Sequence, residues 1–157
     1  MMGKLNRLSE ENKELFIKVY NEIRCNSRFE ECENYIQHGN TTVKAHVVRV
    51  TLLALNICEK FNMDVNKEAL VKGALLHDYY LYDWHEKKLS DFHGLKHPRR
   101  ALRQALKEFK LNEIEEDIIM NHMFPLTSAP PRSKEARLLC LADKLCAWGE
   151  TVDGRIR

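Results

Sequence analysis

The sequence predicts an all-α fold, a helical bundle of about seven helices. Three observations carry that expectation: apolar residues recur at three- and four-residue steps almost from end to end, no segment shows the strict alternation of a half-buried strand, and no internal repeat is visible. The 157 residues are 44% hydrophobic with six Gly and four Pro, which suits one sizeable core and no fibrous or low-complexity chain. The expected organisation is a single domain, 1–157, with N-terminal helices over 8–37, a core over about 41–149 and a short tail over 150–157.

Taken in order, Leu15, Phe16, Val19, Tyr20 and Ile23 form a first helical stripe, and Phe29, Cys32 and Ile36 a shorter second one. After Gly39 and Asn40, Thr41 or Thr42 caps a long helix with an inward face of Val43, Val47, Val50, Ala54, Ile57 and Phe61, widened by His46 and Leu53. Asn66 precedes an apolar helix over 69–78, and 79–96, rich in aromatics and charges, reads as loop. His97-Pro98 looks like a helix start, since proline's fixed dihedral suits the first turn; Ala101, Leu102, Ala105, Leu106 and Phe109 are its buried side. Asn112 with Glu115 is compatible with a reciprocal cap leading into Ile114, Ile118, Ile119 and His122. Pro125, Pro130 and Pro131 end that helix, and Ser133 caps the last, whose stripe is Ala136, Leu139, Cys140, Asp143 and Ala147.

Charge and cysteine usage narrow the class. Lys+Arg 25 against Asp+Glu 23 leaves +2, which gives no general affinity for nucleic acid or anionic membrane. The most apolar stretch, 47–58, is interrupted by Arg49 and Asn56 and is too short to span a bilayer, and 1–16 is too charged for a signal peptide. Five cysteines without a Cys-x-x-Cys pair suggest neither a disulfide framework nor a zinc ribbon. A cytoplasmic protein with reduced, mostly buried thiols is expected.

The histidines carry the chemical signal. His77-Asp78 ends an apolar helix, a pair that alone reads as an ordinary helix C-terminus. His46, His122 and Asp143 each break an inward stripe with a polar group. A carboxylate buried mid-helix is costly unless a cation or several donors meet it, so Asp143 is the most telling. A salt bridge or a satisfied core histidine accounts for each alone; with His97 at a helix start, a shared metal centre accounts for all of them.

At these residues the chain resembles the HD-domain metal-dependent phosphohydrolases. Their ordered pattern of His, then His-Asp, then Asp in a Leu-Ala-Asp-Lys-like segment is matched by His46, His77-Asp78 and Asp143, and the two extra histidines of the two-metal branch by His97 and His122. The spacings of 31, 20, 25 and 21 residues are similar to those of small bacterial single-domain members, including the diadenosine tetraphosphate hydrolase branch. The segment following Asp78, from Tyr79 to His85, departs from that branch. The resemblance implies that His46, His77, Asp78 and Asp143 hold one divalent transition metal and that Asp78 bridges to a second, held by His97 and His122. Such a donor set suits Fe or Mn better than Mg alone. It also implies hydrolysis of a phosphate ester or anhydride, of a nucleotide or dinucleoside polyphosphate, by a metal-bridging hydroxide from a water whose pKa falls to roughly 7 to 9.

Around this set, Lys96, Arg99, Arg100, Arg103 and Lys107 form a basic stripe that is either a solvated helix face or, through Lys96, Arg99 and Arg100, a contact to substrate phosphates. Lys144 is a similar candidate. Tyr79, Tyr80, Tyr82, Trp84 and Phe92 read as a packed cover or as a base-stacking roof. His85 or His93 are candidates to protonate a leaving group or touch phosphate, and Asp83 to orient a ligand histidine. No His-Glu-x-x-His and no Glu-x-x-His occurs, which removes zincin and ferritin-like patterns. The alternatives are a catalytically silent HD domain serving as a nucleotide-binding regulatory module and, further off, a nucleic-acid binder. A homodimer is compatible with the size, although no heptad seam or apolar surface stripe is evident.

Overall fold

The computed structural model describes residues 8–82 and 93–155. Among them the chain forms α1 (Glu10–Cys25), a 3-10 helix (Phe29–Asn34), β1 (Ile36–His38), β2 (Thr41–Thr42), α2 (Val43–Lys60), α3 (Lys67–Leu76), α4 (His93–Glu108), α5 (Glu113–Asn121) and α6 (Lys134–Arg155). The fold is all-α apart from that one small hairpin. No helix of the described residues is long and apolar enough to cross a membrane.

Local chemistry explains the helix starts. The Thr42 side chain accepts from the Ala45 N–H, Asn66 from Ala69, and the Ser133 hydroxyl from Ala136. Asn112 accepts from Ile114 and Glu115 while the Glu115 carboxylate accepts from the Asn112 N–H, a complete capping box.

Four local expectations are corrected. Where Phe29, Cys32 and Ile36 suggested one helical stripe, a 3-10 helix stops at Asn34 and the chain extends into β1, paired antiparallel with β2. A three-residue step fits a 3-10 turn as well as an α-turn, so the spacing could not decide. Gly39, at φ 56°, closes the hairpin in a region other side chains rarely adopt. Secondly, α4 begins at His93, so Pro98 lies inside it and cannot donate to the carbonyl four residues back. Thirdly, Phe61 and Leu106, expected inside, are 67% and 49% exposed; α2 ends one residue before Phe61 and the buried side of α4 is narrower than its apolar content. Fourthly, the segment read as a tail from residue 150 continues α6 as helix to Arg155.

The core is organised around α3, whose residues from Ala69 to Leu76 are buried except Lys72. A helix apolar on nearly all sides belongs at the centre of a bundle. On one side Val71 and Leu75 join Phe16, Phe29, Val47 and Leu55; on the other Leu70 and Ala74 join Val50, Ile118 and Leu139. The C-terminus of this central helix delivers His77 and Asp78 to the middle of the protein. Gly73, one turn earlier, faces Ile118 so closely that an added Cβ would lie 2.7 Å from its Cδ1.

Asp117 on α5 holds the start of α6. Its buried carboxylate accepts from the N–H groups of Arg132 and Ser133, from the Ser133 hydroxyl and from Asn121. Burial opposes its charge, but these donors outweigh burial and hold its pKa below the ordinary value. A depressed folded-state pKa contributes stability above the unfolded pKa, lost as pH falls through the folded one. Asp117→Ala is therefore expected to cost about 2–4 kcal/mol near neutrality. In urea titrations the gap between wild type and variant should narrow from about pH 5 towards pH 2; a gap independent of pH would refute this role.

Candidate metal centre

Five helices converge on one buried point. His46 comes from the inward face of α2, His77 and Asp78 follow α3, His97 lies in α4, His122 follows α5, and Asp143 lies in α6; all six are at most 7% exposed. The six residues that the resemblance implies as ligands are thus brought together.

Two of the rings are aimed by the helices they terminate. His77 Nδ1 lies 2.7 Å from the Ala74 carbonyl and His122 Nδ1 2.8 Å from that of Ile119. A carbonyl only accepts, so Nδ1 carries the proton and, in the neutral ring, Nε2 presents its lone pair to the site. His46 is fixed from both ends, with Nδ1 2.8 Å from Glu150 Oε2 and Nε2 3.0 Å from Asp143 Oδ1.

Asp78 stands between two groups. Its Oδ2 is 3.5 Å from His77 Nε2 and 3.8 Å from His46 Nε2, while Oδ1 is 3.2 Å from His97 Nε2 and 3.5 Å from His122 Nε2. Gln37 on β1 donates its amide to Oδ2 and accepts from the Tyr80 hydroxyl. His46, His77 and Asp143 offer donor atoms within 4.8 Å of one another, as do His77, Asp78 and His122.

The residues fit a divalent metal. His77 Nε2 and Asp78 Oδ1 are buried without a hydrogen-bond partner, and the Nε2 atoms of His97 and His122 face each other at 2.8 Å. Orphaned acceptors converging in an enclosed space are what a cation satisfies. Electrostatics agrees. Burial works against a charge on His46, but its bonds to Asp143 and Glu150 outweigh that and raise its pKa to about 10. Burial likewise opposes ionisation of Asp78, yet charge on His77 and His97 holds its pKa well below the ordinary value; Asp143 is lowered against burial by its bond to His46 and by the His77 ring 3.7 Å away. The pocket retains its carboxylates as anions and demands positive charge between them.

Other candidates are placed differently. Lys96 and Arg99 are exposed beside a hollow of about 380 Å³ shared with Asn121 and Thr127. The Arg100 guanidinium lies 4.9 Å from the Tyr82 ring centre. Lys144 Nζ donates to the His122 carbonyl at 3.2 Å, propping the turn that carries this ligand candidate. Tyr79 and Tyr80 are buried, so this part of the aromatic segment packs as core. Asp83, Trp84, His85 and Phe92 lie outside the described residues, as does the side chain of His93.

Sequence reasoning missed Gln37 and Glu150. Glu150 had a legible signal, seven residues after Asp143 and so two turns along the same helix face; Gln37 had none, because its inward direction depends on the hairpin. Glu150 also accepts from Arg49 through Oε1 at 3.2 Å. Outer partners of ligating histidines commonly matter 10- to 100-fold, so Glu150→Ala is expected to weaken metal affinity by about that factor. Competition against a chromophoric chelator measures it, and unchanged affinity would remove Glu150 from the site.

An all-α bundle closed around four imidazoles and two carboxylates defines a protein built about a buried site fit to hold a divalent metal. The chain belongs to the HD-domain family: the family model described as HD domain matches residues 43–148. This is a superfamily of metal-dependent phosphohydrolases acting on small phosphate substrates. Comparison with curated proteins and with solved structures finds no match.

Proposed function

We propose that the protein is a cytoplasmic metal-dependent phosphohydrolase cleaving a phosphate ester or anhydride of a nucleotide or dinucleoside polyphosphate. His46, His77, Asp78 and Asp143 would hold one Fe or Mn ion, and Asp78, His97 and His122 a second. The observation that carries this reading is the division of Asp78, one oxygen facing His46 and His77 and the other facing His97 and His122. A carboxylate so placed serves two cations at once. The free cysteines support a reducing compartment.

When bound, the metals supply Lewis acidity that neutralises phosphate oxygens and makes water a nucleophile at neutral pH. The chain does the rest. Gln37 and Tyr80 fix the Asp78 carboxylate, Glu150 fixes the His46 ring, and the Ala74 and Ile119 carbonyls fix His77 and His122. Burial of all six donors lowers the local dielectric, so each charge acts more strongly than it would in water. Lys96, Arg99 and Arg100 are the cations we assign to substrate phosphates, and His85 and His93 the acids for the leaving group.

Anaerobic purification with elemental analysis, followed by nucleotides, dinucleoside polyphosphates and (p)ppGpp with Mn, Fe, Co or Ni, tests the proposal. Copurified transition metal and released phosphate or nucleotide are expected. Metal-free protein would overturn the site, and metal-replete protein that binds a nucleotide without turnover would mark a regulatory module instead.

A further inference from the structure

Helix α6 is committed on two opposite faces. Inward it presents Ala136, Leu139, Asp143 and Glu150, all at most 7% exposed. Outward, on the far side of the same 22-residue helix, Leu141, Leu145, Trp148 and Val152 are 52%, 47%, 73% and 37% exposed. Their steps of four, three and four residues are those of a seam made to pack against another helix. A solvated helix face carries polar residues at such positions, and a helix apolar on both faces is one covered on both.

We propose that this seam is a homodimer interface, in which α6 pairs antiparallel with α6 of a second copy. The order of the spacing fits a second copy. Four, three, four reads the same in both directions, so a two-fold axis between Leu145 and Trp148 sets Leu145 across from Trp148 of the second copy and Leu141 across from its Val152. A two-fold interface requires this self-complementarity; a partner of different sequence does not.

Two further observations agree. Gly149 lies in the middle of α6, where glycine costs about 1 kcal/mol relative to alanine, and an added Cβ there meets nothing within 4 Å. Among the described residues nothing near this position demands a glycine, and the antiparallel pairing sets it at the seam, where a larger side chain would stand between the two helices. The area is also adequate. Phe124, 36% exposed, lines a hollow with Leu141, Pro125 and Pro130 and extends the seam. These five side chains expose on the order of 500 Å² of apolar surface, most of the roughly 800 Å² per partner of a standard interface, with Arg137 and Lys144 as a polar rim.

The inference is independent of the metal reading and is tested on the full chain by sedimentation velocity and light scattering between about 1 and 100 µM, the range of ordinary transient and stable dimers. Wild type is expected to be dimeric. Trp148→Glu should weaken association about 30-fold or more, as loss of a central aromatic anchor does, with the helical circular dichroism unchanged because Trp148 is mostly exposed in the monomer. Gly149→Leu should dissociate the dimer while the monomer melts no lower than wild type. Phe61→Glu, at an exposed phenylalanine elsewhere, should leave the dimer intact. A monomeric wild type, a dimer insensitive to both α6 changes, or a dimer dispersed equally by Phe61→Glu would each overturn the proposal, as would a monomer that associates only with a different protein.

Discussion

Asp78→Ala is expected to lose bound metal and phosphohydrolase activity together. Both carboxylate oxygens face imidazoles, so one substitution removes a donor from each of the two groups. His46, His77 and Asp143 would remain as a three-donor remnant, and His97 and His122 would be left with each other. The loss in turnover should exceed the roughly 100-fold ceiling typical of outer partners such as Glu150. Elemental analysis of the purified variant beside phosphate release reads both quantities, and a variant with full metal content and full turnover would sink the site assignment. Asp78→Asn sharpens the comparison: it keeps the shape near Gln37 but removes the charge, so recovery of metal by Asn would indicate that packing, not ligation, is what Asp78 supplies.

Gly73→Val is expected to be the most damaging change that touches no candidate ligand. The added Cβ would lie 2.7 Å from Ile118 Cδ1 and 3.0 Å from its Cβ and Cγ2. The Cδ1 atom can swing aside, but Cβ is tied to the α5 backbone, so α3 and α5 must part. Overpacking of this kind costs about 1–3 kcal/mol, and the two extra methyl groups push towards the upper end. At about 2–4 °C per kcal/mol for a chain of this size, a drop in Tm of roughly 6–12 °C follows. Gly73 is one turn before His77 and Ile118 one turn before His122, whose rings lie 4.9 Å apart. Separation of the helices at Ile118 therefore reaches the rings, and metal affinity should fall with Tm. Adding Ile118→Ala should restore part of both; a pair with purely additive losses would show that the clash is not the cause.

The parts legible in the sequence are those written locally. Caps at Thr42, Asn112 and Ser133 depend on one side chain and the N–H groups two or three residues on, so they read correctly. His46, His122 and Asp143 were visible because each interrupts an apolar stripe, a contrast that needs no knowledge of the partner helix. What failed was decided by contacts between distant segments. Gln37 points inward only because β1 pairs with β2, and the pairing left no alternation in three residues. The outward seam of α6 escaped because the inward stripe had already accounted for the helix. Residues 141, 145, 148 and 152 look like ordinary core until the bundle shows which side is left over.

The bonds from His77 Nδ1 to the Ala74 carbonyl and from His122 Nδ1 to the Ile119 carbonyl separate assembly from loading. Each uses the final turn of a helix to orient its ring, so the backbone sets the direction of the lone pair before any ion arrives. Small zinc domains, by contrast, acquire their shape from the ion and unfold under chelators. Here chelation should strip the site and leave the bundle standing, held by clusters that lie on either side of α3. A socket finished in advance can exchange its occupant within the folded protein. Which ion such a socket would take is then governed by cellular supply and donor preference, not by which one was present when the chain folded.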